Sequence, residues 1–133
     1  MKIQHMLLTL LCMVLVMISG CRSSTIYNVH DQSLLTNKSN HATEDVKKAI
    51  VRAGAGLGWN MDANSPGHIL GSLNIREHMA QVDISYDKNK YSITYKNSTN
   101  LNYNPSEPAT IHSNYNGWIQ NLDRAIKSQL NNL

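Results

Sequence analysis

Residues 59–96 read WNMDANSPGHILGSLNIREHMAQVDISYDKNKYSITYK, and the fold turns on whether one strand register satisfies every hairpin in this stretch. Ser65-Pro66-Gly67 suits a three-residue hairpin loop, with glycine supplying the left-handed conformation. It sets Asn64 opposite His68, Met61 opposite Gly71 and Trp59 opposite Leu73. Lys88-Asn89 suits a second tip, placing Tyr86 opposite Tyr91, Ile84 opposite Ile93 and Val82 opposite Tyr95. A turn at Arg76-Glu77 joins the middle strands, with Leu73 opposite Ala80 and Ile69 opposite Ile84. That turn lacks the Asn or Gly a tight hairpin prefers, so a bulge or longer loop is expected there.

With these pairings, odd residues of the first, second and fourth strands share an apolar face with even residues of the third. The opposite face carries Asn60, Asp62, His68, Leu70, Ser72, Gln81, Asp83, Ser85, Ser92, Thr94 and Lys96. A face so polar predicts a sheet covered on one side only.

Helical periods flank the sheet. Thr43 is a good N-cap with Glu44 and Asp45 behind it, and Val46, Ala49, Ile50, Ala53 and Leu57 recur at 3–4 spacing, predicting a helix over 43–57. Gly54, Gly56 and Gly58 form a G-x-G-x-G that follows a helix rather than joining a strand to one, which excludes a phosphate loop; Gly58 suits the left-handed residue that ends the helix. Near the C-terminus, Ser113 or Asn114 is expected to cap a helix with Tyr115, Trp118, Ile119, Leu122, Ala125, Ile126 and Leu130 inward, and with Asp123 and Lys127 paired on its outside. The expected fold is α+β: a four-stranded antiparallel meander with two helices on one face, in the order α-β-β-β-β-α.

The N-terminal segment bears on location. Lys2 precedes a thirteen-residue run, Met6 to Ile18, in which only Thr9 is polar. A transmembrane helix needs about 20 apolar residues and a signal-peptide core roughly 7–15, so the run reads as a signal. Ile18-Ser19-Gly20-Cys21 then resembles the bacterial lipobox, in which the cysteine becomes the lipidated first residue of the mature chain. Cys21 is the expected lipidation site, with no other cofactor. Two or three acyl chains would hold the protein stably on a membrane. Arg22, rather than aspartate, follows the cysteine, and by resemblance to Gram-negative sorting this implies the outer membrane, facing the periplasm. The polar residues 22–42 read as a flexible tether with a short strand near Ile26 to Val29, reaching roughly 25 Å.

The 113 residues left after cleavage fit one domain, assigned to 43–133 behind the lipidated N-terminus and tether at 21–42. They hold no cysteine besides Cys21, which removes thiolate chemistry, and their eleven basic and nine acidic residues form no long charge run, which argues against nucleic acid. Sixteen asparagines, many beyond residue 97, suit a surface for neutral polar ligands. Residues 97–112 lack a helical or strand period, and loops of this length are often functional. Asn100, Asn102, Tyr103, His112, Asn114, Tyr115 and Asn116 are the candidate binding residues, near a helix N-terminus that attracts polar groups. His68 and His78 fall at opposite ends of neighbouring strands, and no H-x-x-x-H occurs, so no metal is expected. Asp62 and Asp83 flank Leu70 in one row about 10 Å apart, near the spacing of an inverting glycosidase, and give an alternative reading as a cell-wall glycan hydrolase.

Gly58-Trp59, Ser65-Pro66-Gly67, Arg76 with His78, Tyr91-Ser92-Ile93 with Tyr95, Ser98 with Asn100-Leu101 and Tyr103, and Ile111-His112 with Tyr115-Asn116 and Trp118-Ile119 together are similar to a family of small, largely uncharacterised proteobacterial lipoproteins. The resemblance implies this fold and an envelope location and carries over no catalytic residue. Gly54 and Gly56 depart from it, standing where better helix formers are expected. The combined expectation is a lipid-anchored, non-enzymatic protein that binds or scaffolds an envelope protein or glycan and no nucleic acid.

Overall fold

The computed structural model describes residues 22–34 and 41–133, so the segment expected to be a signal and Cys21 lie outside the described residues. The element order is β1 (Ser23–Thr25), β2 (Val29–Ser33), α1 (Thr43–Gly56), β3 (Asn60–Ser65), β4 (His68–Ile75), β5 (His78–Tyr86), β6 (Lys90–Thr99), β7 (Thr110–His112) and α2 (Ser113–Asn131). Among the described residues seven strands form two sheets: a five-stranded sheet in the order β2-β6-β5-β4-β3 and a two-stranded ribbon of β1 with β7. The expected α-β-β-β-β-α meander is therefore corrected to β-β-α-β-β-β-β-β-α.

The correction comes from both ends of the meander. β2 adds antiparallel to β6, with Val29 opposite Ile93 and Ser33 opposite Lys90. β1 pairs with β7 from Ser23 opposite His112 to Thr25 opposite Thr110. Residues 23–33, read as tether, thus carry two strands, and neither is the one expected at Ile26 to Val29. Little in VHDQS announces an edge strand, because only Val29 enters the core and Asp31 breaks the alternation with a left-handed φ of 46° at a bulge.

Within β3–β6 the pairings Met61–Gly71, Leu73–Ala80, Ile69–Ile84, Ile84–Ile93, Val82–Tyr95 and Tyr86–Tyr91 are those the alternation requires. The irregularities fall elsewhere. The first hairpin closes on the two residues Pro66-Gly67, pairing Ser65 rather than Asn64 with His68, and a bulge between Asp62 and Ser65 restores the register. Arg76-Glu77 is a tight two-residue turn without the expected bulge, because Arg76 itself adopts φ 55°. The second bulge lies between β5 and β6, where Gln81 pairs with Asn97 while Val82 pairs with Tyr95.

Both helices cover the apolar face. Val46, Ala49, Ile50 and Ala53 of α1 join Tyr115, Ile119, Leu122 and Ile126 of α2 over Ile69, Ala80, Val82, Ile84 and Ile93. The helix starts differ from expectation by a residue. Ala42, not Thr43, is the first N-cap and offers no side-chain bond, while His112 caps α2 by accepting the Asn114 backbone N–H on Nδ1 at 3.2 Å. At the end of α1, Gly58 takes φ 86°, and the N–H groups of Trp59 and Gly58 donate to the carbonyls of Gly54 and Ala55 at 3.0 and 3.1 Å, the paired bonds of a Schellman cap. Gly54 is explained by packing: a Cβ there would overlap the Met61 thioether of β3, whereas a Cβ on Gly56 would meet nothing.

Asp123 also departs from expectation. It is not on the outside of α2 but buried, at 5 % exposure. One oxygen accepts the Tyr91 hydroxyl at 2.6 Å and the other accepts the Lys127 ammonium at 2.7 Å. Burial, and then the hydrogen bond to this carboxylate, push the Tyr91 hydroxyl well above the usual phenol range.

Candidate functional site

Strand alternation carries Asp62, Leu70 and Asp83 into one row across β3, β4 and β5, in direct register. Lys96 of β6 lies two residues beyond Thr94, the partner of Asp83, and so on the same face, where its ammonium reaches both Asp83 oxygens at 3.1 and 3.2 Å. His68 approaches from β4, with Nδ1 3.9 Å from Asp83 Oδ1. Asp62 is held otherwise, accepting the Asn64 backbone N–H at 3.2 Å. Asp62, Asn64, Ser65, His68, Leu70, Asp83 and Lys96 line an open recess of about 460 Å³. Beyond it, Gln81 donates to the Ser72 hydroxyl at 3.1 Å, so the polar face continues as a hydrogen-bonded surface.

The two carboxylates stand two strands apart, about 10 Å by strand spacing. A salt bridge engages one, a backbone N–H the other, and the recess stays open to solvent. Such a surface can hold a polar ligand by hydrogen bonds and a fixed pattern of charge, but it provides neither carboxylate with a water-excluding wall.

The residues nominated beyond position 97 are placed together around the start of α2, and most serve the fold. Tyr115 points inward and is fully buried, and its hydroxyl finds no hydrogen-bond partner among the described residues; burial pushes this hydroxyl above the usual phenol range. Asn116 donates to the Ser24 hydroxyl at 2.9 Å and the Thr25 carbonyl at 2.8 Å and accepts the Tyr27 N–H at 2.9 Å, fastening the β1–β2 connection to α2. His112 is the helix cap, and Asn114 is the residue it caps. Asn100 and Asn102 hold φ of 59° and 51°, a left-handed conformation that asparagine tolerates, and the Asn100 carbonyl lies 2.7 Å from His78 Nδ1. Of the seven, Tyr103 presents the largest exposed apolar surface, at 41 %, stacked on Tyr95 with centroids 4.4 Å apart, while Tyr95 meets Tyr115 edge-on at 5.6 Å.

Neither protein-family models nor curated proteins nor solved structures match this chain. The resemblance to small proteobacterial lipoproteins is accordingly set aside, because the α-β-β-β-β-α order it implies is not the order of this chain.

No group of three or more His, Cys, Asp or Glu side chains able to hold a metal occurs among the described residues. His68 and His78 lie at opposite ends of the β4–β5 pair, His68 opposite Ser85 and His78 opposite Ile75. No helix among the described residues is long and apolar enough to cross a membrane. The recess residues Asn64 and Ser65 were missed as site candidates because the bulge between Asp62 and Ser65 is what brings them to its rim. Proline and glycine at 66–67 marked the turn, but nothing in the sequence marks the bulge.

Proposed function

We propose that this chain is a lipid-anchored bacterial envelope protein of the binding or scaffolding kind, acylated on Cys21, held at the outer membrane facing the periplasm, and offering the open face of its sheet to a polar envelope partner, protein or glycan. The observation that carries the binding reading is the recess on that face, where Asp62, His68, Asp83 and Lys96 set donors and acceptors of both signs around Leu70. The surface beyond residue 97 is a weaker candidate, since Tyr115, Asn116 and His112 are occupied by the fold. What supports the anchor is the lipobox-like Ile18-Ser19-Gly20-Cys21 behind a signal-length apolar run. The alternative, a cell-wall glycan hydrolase using Asp62 and Asp83, draws no support from a face on which Lys96 holds both Asp83 oxygens.

Two experiments test the proposal. Cys21→Ala should release the protein from membranes, and a variant that stays bound after signal cleavage would refute the anchor. A photo-crosslinking residue at Leu70 should capture a partner in cells that the same residue at Gln120, on the exposed side of α2, does not; equal capture, or none at Leu70, would refute the binding face.

A further inference from the structure

We infer that the end of the domain where the chain enters at Arg22 is a membrane-apposed face, seated on the headgroups of the bilayer that holds the acyl chains; this rests on the lipid-anchor reading above. The first observation is that the fold's own hydrogen bonds begin at Arg22, the residue after Cys21 in sequence. The Arg22 carbonyl accepts the Ser113 N–H at 2.7 Å, and Ser23 already pairs with His112. A residue joined to Arg22 has its Cα about 3.8 Å from that of Arg22, so acyl chains on Cys21 leave from the surface of the domain itself.

The second observation is independent of the first. Tyr27, Leu57, Ile75 and Tyr103 are the large apolar side chains left exposed among the described residues, at 37 to 43 %. Contacts trace all four to the same end. Tyr27 is bonded to Asn116 in the first turn of α2. Tyr103 stacks on Tyr95, which meets Tyr115 in that turn. Leu57 and Ile75 share a hollow with Trp118 of α2, and Ile75 pairs with His78, which bonds Asn100 beside the Leu101 carbonyl that accepts the His112 N–H. The opposite end, about 30 Å away along β6 at about 3.3 Å per residue, is charged instead, with Lys90 on Asp31 and Lys47 on Glu44, both at 2.8 Å.

Single exposed apolar residues are ordinary on a soluble domain; their gathering around the chain's entry point is what needs an occupant. Tyrosine and leucine suit the boundary between headgroups and acyl chains, and the cations of Arg22 and Arg76 suit phosphate. Glu77 stands beside Arg76 and limits the net charge of the turn. In this orientation the sheet strands run away from the bilayer and the recess at Asp83 faces sideways, clear of it.

The test uses the full acylated protein in phosphatidylethanolamine–phosphatidylglycerol vesicles, with a nitroxide on Ile75→Cys or on Lys88→Cys at the far hairpin. Intact mass and vesicle flotation establish acylation first. A protein without acyl chains overturns the anchor reading and this inference with it. With acylation established, a water-soluble paramagnetic relaxer should reach the label at 75 several-fold less than the label at 88. Equal access would overturn the inference and leave the anchor standing. Inserting about twelve Gly and Ser residues between Cys21 and Arg22, an r.m.s. span of about 19 Å, should restore access at 75 while flotation is unchanged. Continued protection of residue 75 in free, unacylated protein would show a fold-internal cause and also overturn it.

Discussion

Replacing Tyr91 by phenylalanine removes one oxygen atom and tests whether the buried link between sheet and helix is as described. The Tyr91 hydroxyl donates to Asp123 at 2.6 Å, in a site where Asp123 is 5 % exposed and its other oxygen is already taken by Lys127 at 2.7 Å. Hydrogen bonds to charged groups contribute about 1.5–3 kcal/mol, and the abandoned carboxylate oxygen has little access to water as a substitute. Tyr91→Phe should therefore cost about 2 kcal/mol, which at about 4–8 °C per kcal/mol for a domain of this size lowers Tm by about 8–16 °C. Lys127→Met should cost less, about 1 kcal/mol or under, since that side chain is 44 % exposed and water replaces much of what is lost. Urea denaturation of the three proteins measures both differences, and a double-mutant cycle between Tyr91→Phe and Asp123→Asn should show coupling above about 0.5 kcal/mol. A Tyr91→Phe midpoint equivalent to less than about 0.5 kcal/mol would sink the argument.

Other outcomes follow from the same geometry. Tyr115→Phe should be neutral or stabilising by about 1 kcal/mol, because it deletes a buried hydroxyl that has no partner among the described residues; thermal melts distinguish it from Tyr91→Phe by sign. Gly56→Ala should stabilise α1 by about 0.5–1 kcal/mol, while Gly54→Ala should gain less or destabilise, since its Cβ must displace Met61; denaturant midpoints give the ranking. Asn116→Ala should cost about 1–3 kcal/mol by releasing three bonds to the β1–β2 connection, and should raise amide exchange in residues 23–27 before the rest of the domain. Burial raises the folded-state hydroxyls of Tyr91, Tyr95 and Tyr115 above the ordinary phenol value. Their contribution is present in full below the unfolded value of about 10 and is lost as pH rises above it, so stability should fall from about pH 10 upward. Absorbance titration of the six tyrosines should show three ionising late.

The meander was legible because its signal is redundant. Val82 and Ile84 each pair in two hairpins at once, with Gly71 and Tyr95 and with Ile69 and Ile93, so one register survives many local irregularities. The outer strands carry no such redundancy. β2 sits at a sheet edge and buries only Val29, and β1 buries no side chain, so neither has an apolar period to read. Their pairing is decided by distant residues, Ile93 and His112, which only the folded chain brings near. Asp123 illustrates the converse limit. Its spacing to Lys127 reads equally as a surface pair or an inward one, and the choice is made by Tyr91, 32 positions away. The candidate site was half legible: alternation placed Asp62 and Asp83 in one row, while the asparagines beyond residue 97 gave a compositional signal that the fold spends on turns and fastenings.

The placement of β1 and β2 also sets an order of events. Tyr27 is fastened to a residue 89 positions later and Asp31 to one 61 positions later. A ribosome or a translocation channel delivers the chain from its N-terminus, so these two segments emerge first and remain without partners until residues 90–116 have followed. Closing such long loops is slow relative to forming the local hairpins of β3–β6. Residues 23–33 are thus made early and secured late, so their amides should gain exchange protection after those of β3–β6 during refolding.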